Sequence, residues 1–232
     1  MTARTSAQAL ADVASALVED HEITGLLARL VSDCAQLLPA DAAALLVRTA
    51  EGGFELLSAT SHRGDELELY QAQRQTGPCV DAARTREPSS TVGRTQIVAR
   101  WADVGQEIVD AGFGSVHAFP MHWRGHAIGC LNLFGVAEVE LSPASTVLAQ
   151  SFADFATLAI VQPVALGDDD LAERITAALE GRVVVEQAKG VLAYQLGLDM
   201  AGAYDELLAR STVNGTTLAQ VAQNVVRSAH AR

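Results

Sequence analysis

The sequence predicts an α+β domain, an antiparallel sheet with flanking helices, followed by an all-α unit of three helices. Three observations carry this. Apolar residues recur at helical spacing from about Ser6 to Leu38 and again after Ser142. Between those stretches lie two pairs of short apolar runs, each pair joined across a glycine-containing turn, which is the pattern of hairpins. From Leu171 onward the pattern is helical throughout, with capping residues and breakers that divide it in three.

At 232 residues, 49% of them hydrophobic, the chain can bury two cores. Its 16 basic and 28 acidic residues give a formal charge of −12, which excludes general attraction to DNA or to anionic membranes. A nucleic-acid reader with this balance works through a local site. No apolar run is expected to approach the roughly eighteen residues of a membrane span, and no cleavable leader opens the chain, so the expected location is cytoplasmic and off the membrane. Cys34, Cys79 and Cys130 show neither CxxC nor mixed Cys/His spacing, so no disulfide scaffold and no metal site is expected.

In order, Leu10, Val13, Ala14 and Leu17, then Ile23, Leu26, Leu27, Leu30, Val31, Cys34 and Leu37, form one long helix or two short ones, ended by Pro39. Ala42 to Val47 and Phe54 to Ala59 pair across Glu51-Gly52-Gly53, and Val116 to Met121 pair with Ala127 to Phe134 across Trp123-Arg124-Gly125. The intervening stretch of about fifty-five small and polar residues reads as irregular chain, for which a ligand lid is one use. Candidate pocket residues are Cys79, which follows Gly77-Pro78 in that lid; Trp101 and Phe113, which shape a cavity or close the core; and His117, which faces a cavity or solvent. Ser142 caps a further helix with Pro143 in its first turn and an apolar face from Val147 to Val161.

Residues 6–163 are thus expected to form the first domain, 164–170 a linker and 171–230 the helical tail. In the tail, Asp170 and Glu173 form a capping box, and Leu171, Ile175, Leu179, Val184, Ala188, Val191 and Leu192 form the inner stripe of a long helix. Arg174, Arg182, Glu186 and Lys189 occupy its polar side. Gly197 is placed to close that helix and Asp199 to cap the next, whose inner face is Ala203, Tyr204, Leu207 and Leu208. After Asn214-Gly215, Thr217 and Gln220 box the start of a last helix with Leu218, Val221, Ala222 and Val225 inward.

Arg182-Val183-Val184-Val185-Glu186-Gln187-Ala188-Lys189-Gly190-Val191-Leu192 closely resembles the signature of the ANTAR domain, a three-helix RNA-binding module of bacterial transcription antiterminators. Ala203-Tyr204 with Leu207, and Leu218 with Val221-Ala222, resemble its second and third helices, so the likeness covers nearly all of residues 168–230. Upstream, Arg124-Gly125-His126-Ala127-Ile128-Gly129-Cys130-Leu131-Asn132-Leu133 resembles the closing hairpin of a GAF domain, and Gly77-Pro78-Cys79-Val80-Asp81-Ala82 resembles a segment of GAF domains joined to ANTAR modules. The resemblance implies a signal-sensing first domain whose ligand and cofactor it does not identify. It also implies a tail that binds paired hairpins of nascent mRNA and so prevents a terminator from forming. The working unit would be a homodimer formed through the first and the central helices, with no catalysis.

Within the tail, Arg182 and Lys189 lie seven apart, share a helix face and can grip neighbouring phosphates. Gly190 allows close approach of a nucleotide or of a packed helix; Tyr194 stacks a base or is partly buried; Thr216 and Thr217 offer hydroxyls and amides to a phosphate, Thr217 also as a cap. Family members commonly carry an arginine after the second-helix leucine and more bases before the third helix, where this chain has Leu208, Thr212, Thr216 and Thr217. Two other classes compete with an RNA-binding regulator: a GAF-fold cysteine enzyme acting on free methionine sulfoxide, and a protein-interaction module without RNA binding. For the enzyme, Cys34 and Cys130 lie in apolar repeats and leave Cys79 without a resolving partner. His122 and His126 have HxxxH spacing, but on a hairpin this does not give the one-face geometry of a helix, so they are not expected to hold a metal.

Overall fold

The computed structural model describes residues 4–18, 22–61, 76–161 and 168–230, without the side chains of 168–171, 174 and 230. The first apolar stretch forms two helices, α1 (Ser6–Val18) and α2 (Ile23–Leu37). Glu22 caps α2, its carboxylate accepting from the amides of Thr24 at 2.8 Å and Gly25 at 2.6 Å.

Strands β1 (Ala42–Arg48) and β2 (Phe54–Ala59) form the expected first hairpin, bulged between Leu45 and Leu46. The expected irregular lid proves largely regular: it holds α3 (Pro78–Thr85), the short strand β3 (Ser89–Val92) and α4 (Arg94–Asp110), while residues 62–75 lie outside the described residues. β4 (Ser115–Trp123) and β5 (His126–Gly135) follow, joined by a two-residue turn in which Arg124 and Gly125 both take positive φ, 48° and 84°. The five strands run in the order β2-β1-β5-β4-β3, every neighbouring pair antiparallel.

On one face of the sheet α1, α2 and α5 (Pro143–Val161) bury Leu27, Leu30, Phe119, Leu131 and Phe152 in the main core. Ser142 caps α5 as expected, its hydroxyl accepting from the Ser145 amide at 3.1 Å. In one respect the sequence reading needs correction, because α5 is long and apolar enough by length and composition to cross a membrane. Its Phe152, Ala153, Ala156, Ala159 and Ile160 are instead spent on the sheet. The opposite face is covered by α3 and α4. α4 leaves helical geometry at Trp101 and Ala102 (φ 42°, ψ −110°), and Gly105 lies so close to the Ile97 carbonyl that no side chain fits there.

The tail is a three-helix bundle of α6 (Asp168–Leu196), α7 (Met200–Asn214) and α8 (Leu218–His230). α6 takes in the last three residues of the expected linker, Asp170 among them; the expected capping box rests on the Asp170 side chain, which, like linker residues 164–167, lies outside what is described. The other punctuation is where the sequence puts it. Gly197 (φ 66°) ends α6, with the Leu198 amide donating to the Ala193 carbonyl at 3.1 Å. Asp199 caps α7, Gly215 (φ 61°) ends it, and Thr217 and Gln220 exchange capping bonds of 3.1 Å at the start of α8. Val185, Ala188, Leu192, Ala203, Leu207, Leu218 and Ala222 form the bundle core, and Ala28 of α2 is buried with them.

Candidate nucleic-acid interface

Helix geometry sets Arg182, Val185, Glu186 and Lys189 on one side of α6, and this side faces the first domain rather than water. Small residues permit the approach. A Cβ on Gly181 would stand 2.5 Å from Thr24 Oγ1, and one on Gly25 3.7 Å from the Leu218 Cβ. Thr24 and Ala28 of α2 and Leu57, Ser58 and Ala59 of the edge strand β2 make the other wall. An unpaired strand edge exposes backbone donors and acceptors, and a covering helix is one way to protect it.

Lys189 ends inside this seam with only 7% of its surface exposed. Its ammonium donates to both carboxylate oxygens of Glu186, at 2.9 and 3.0 Å, and lies 5.6 Å from the centroid of the Tyr204 ring. A buried charge must be paired, and a carboxylate plus the negative face of an aromatic ring are the means used here. The gap between the walls measures only ≈ 20 Å³, about the room of one water molecule. No phosphate enters while the domains stand this way.

The other candidate RNA-contacting residues are placed differently. Arg182 is half-buried and lines the same seam, so the expected pairing with Lys189 on one face holds. Gly190 and Tyr194 lie on the solvent side of α6, Tyr194 at 91% exposure, and a Cβ at Gly190 would meet nothing within 4 Å. Tight packing inside the molecule therefore does not explain that glycine. Thr216 is exposed and Thr217 is engaged in its cap. Sequence reasoning missed a cleft of ≈ 460 Å³ between α7 and α8 at the end of α6, where Thr216 stands with Gln195, Asn214 and Asn224. The signal was present in polar residues spaced along α7 and α8, but only the packing of the two helices brings them together.

The four candidate pocket residues of the first domain do not come together in a cavity. Cys79 is buried with Leu46, Ala82, Ala118 and Cys130, whereas Trp101 and Phe113 pack in a separate cluster with Val116 and Phe134. The Trp101 indole donates to Asp81 at 3.0 Å. His117 is buried on β4, its Nδ1 2.7 Å from the Ser90 hydroxyl, and burial lowers its pKa against the opposing pull of Glu140. A cleft of ≈ 270 Å³ does open on this domain, between Arg48, Phe54, Val80 and Arg84; none of the four lines it, although Phe54 and Val80 pack against the cluster that holds Cys79. Cys34, Cys79 and Cys130 are all buried, and burial pushes the Cys34 thiol well up. Cys79 and Cys130 share one cluster, so Cys79 is not as remote from a second thiol as the sequence implied. Among the described residues no three His, Cys, Asp or Glu side chains gather as a metal site.

The described residues thus form a five-stranded antiparallel sheet flanked by helices and, behind it, a three-helix bundle. The GAF domain family matches residues 22–160, more than half of the chain, and the ANTAR domain family matches residues 173–226. The chain belongs to the GAF family and carries an ANTAR domain behind its GAF domain, a non-catalytic regulatory architecture. Among solved structures it is similar to the GAF domain of an Acinetobacter phosphoenolpyruvate-protein phosphotransferase, at 11% identity and a TM-score of 0.56 over 72% of this chain and 99% of that one. It is similar also to the phycocyanobilin-bound GAF domain of a cyanobacterial phytochrome, at 12% identity and a TM-score of 0.54 over 69% and 96%. A third similar structure is the reduced form of fRMsr of Staphylococcus aureus, at 14% identity and a TM-score of 0.51 over 68% and 99%. At such identities these likenesses establish the fold alone. No curated protein matches the chain.

Proposed function

We propose that this protein is a signal-responsive regulator whose ANTAR domain binds hairpins of nascent mRNA and promotes transcription antitermination. We further propose that the GAF domain holds the RNA face shut until a signal arrives. The observation that carries the reading is the place of Lys189: the cation that the family resemblance assigns to RNA is buried against the sensor, neutralised by Glu186, in a gap too small for a phosphate. A stable bundle does not need a lysine there, since an apolar side chain of similar length would pack without desolvating a charge. An ion pair at a seam between two domains can open, and opening would turn Arg182 and Lys189 together toward solvent.

In this reading the working species is a homodimer in the cytoplasm. Release of the seam by a small molecule or another signal at the GAF domain shifts a docked-to-open equilibrium. The exposed side of α6, with Val183, Gly190 and Tyr194, serves RNA or the second copy. The test is selection of RNA from a random pool by the full chain and by Gly181→Leu, whose side chain would wedge the seam open at Thr24. Hairpins enriched by the open variant, with binding weakened at least tenfold by adding Lys189→Ala, are expected. Enrichment of no RNA by either protein would leave a protein-interaction module as the function.

A further inference from the structure

The groove between α7 and α8 lies outside the seam, and none of its lining residues belongs to the sensor. Val221 and Val225 make an apolar floor, while the walls carry the side-chain amides of Gln195, Asn214 and Asn224 and the hydroxyl of Thr216. These three amides, with Asn224 and Gln195 on exposed helix positions, engage no hydrogen-bond partner among the described residues. Each amide offers a donor and an acceptor side by side, the pairing that the edge of a nucleobase matches in two-point contact. The groove's volume of ≈ 460 Å³ falls in the range of small-ligand sites.

We propose that this groove is a base-reading pocket: it takes one unpaired base of an RNA loop, with the base plane over Val221 and Val225 and its edge read by Asn224 and Gln195. The proposal rests on the RNA-binding function above and divides the labour within it. The tail's bases and acids balance from residue 171 onward, Arg174, Arg182, Lys189, Arg210, Arg227 and Arg232 against Glu173, Glu180, Glu186, Asp199, Asp205 and Glu206. Phosphate attraction is therefore weak, and selectivity has to come from uncharged contacts. Arg210, in the same groove, is tethered to Glu206 through its Nε at 2.8 Å, which fixes it beside the groove and dilutes its charge. Because the groove is open while Lys189 is covered, it can meet a base before the seam releases.

The test uses the full chain carrying Gly181→Leu and the hairpin RNA that it enriches, with each loop position replaced in turn by the other three bases. One loop position is expected to show a penalty of roughly tenfold or more on replacement. Asn224→Ala with Gln195→Ala, changes to a good helix former at exposed sites, is expected to cut that penalty below about threefold while the slope of log Kd against log salt stays as it was. Lys189→Ala should do the reverse, lowering the salt slope and keeping the base penalty. Unchanged base discrimination in the double variant overturns the proposal, as does a change in its dimer mass with no change in discrimination, which would make the groove an interface between proteins. Failure of the parent to bind any RNA is a different result and overturns the RNA-binding function itself.

Discussion

Lys189 shares a helix face with Arg182, as the spacing implies, and is buried, which the spacing does not disclose. Its spacing from Arg182 was legible because helix periodicity is local, whereas its burial depends on α2 and β2, more than a hundred residues away in the chain. Removing its counter-ion with Glu186→Gln leaves the ammonium beside Tyr204 without its carboxylate. We expect a loss of about 1–3 kcal/mol, read as a lower midpoint in urea. Gly190→Ala should act in the opposite direction on stability. Its Cβ meets nothing and alanine favours the helix by up to about 1 kcal/mol, so we expect a more stable protein that nevertheless binds RNA less well; equal affinity would remove the glycine from the interface. His117 and His122 are both held neutral by burial, below their ordinary 6.5, with Arg86 adding to the effect at His122. The unfolded chain then takes up protons that the folded one refuses, so stability should fall as pH drops below about 6.5. Asp33, raised by burial, works in the opposite sense at lower pH. Melting temperatures from pH 7.5 to 5.5 should decline less steeply in His117→Asn than in the parent, the numbers of that interval being about one unit either side of the histidine range.

At the scale of elements, what the sequence disclosed was the punctuation: Ser142, Gly197, Asp199, Gly215, Thr217 and Gln220 each act where they were expected, because a cap is decided within four or five residues. What escaped were α3, β3 and α4, and α4 shows why. Ile97, Trp101, Val104 and Ile108 keep helical spacing, yet Gly93 and Gly105 and the polar residues between them gave the stretch the look of a loop. The helix is also broken at Trp101 and Ala102, where Asp81 holds the indole and the backbone leaves the right-handed region. Gly105→Ala should then destabilise the GAF domain by about 2 kcal/mol or more, since its methyl would meet the Ile97 backbone, which has no side-chain freedom with which to yield. A circular dichroism melt indistinguishable from the parent's would show that the kink relaxes. The sequence predicts α6 as an amphipathic helix with one polar side, and it is instead gripped on two sides, by its own bundle and by the sensor, so that Val185 and Lys189 of the seam side are buried as well as Ala188 and Leu192.

Over the whole molecule, the two domains and their order were readable because each carries its own local signature, but their contact was not, since nothing in a linear pattern says which faces meet. The contact is made by small residues, Thr24, Gly25, Ala28, Gly181 and Ser58, and encloses one ion pair. Such a seam is easily displaced in energetic terms: a docked state favoured by about 1.4–2.8 kcal/mol would weaken RNA binding by roughly 10–100-fold and could be released by a ligand of matching differential affinity. The direct measurement is the dissociation constant of a hairpin RNA for the full chain and for Gly181→Leu under the same salt. We expect the variant to bind at least tenfold tighter, with the gain lost on adding Lys189→Ala. Equal affinities for parent and variant, with the seam shown to be open in the variant by labelling of a cysteine placed at Thr24, would contradict the claim that the sensor restrains the RNA face.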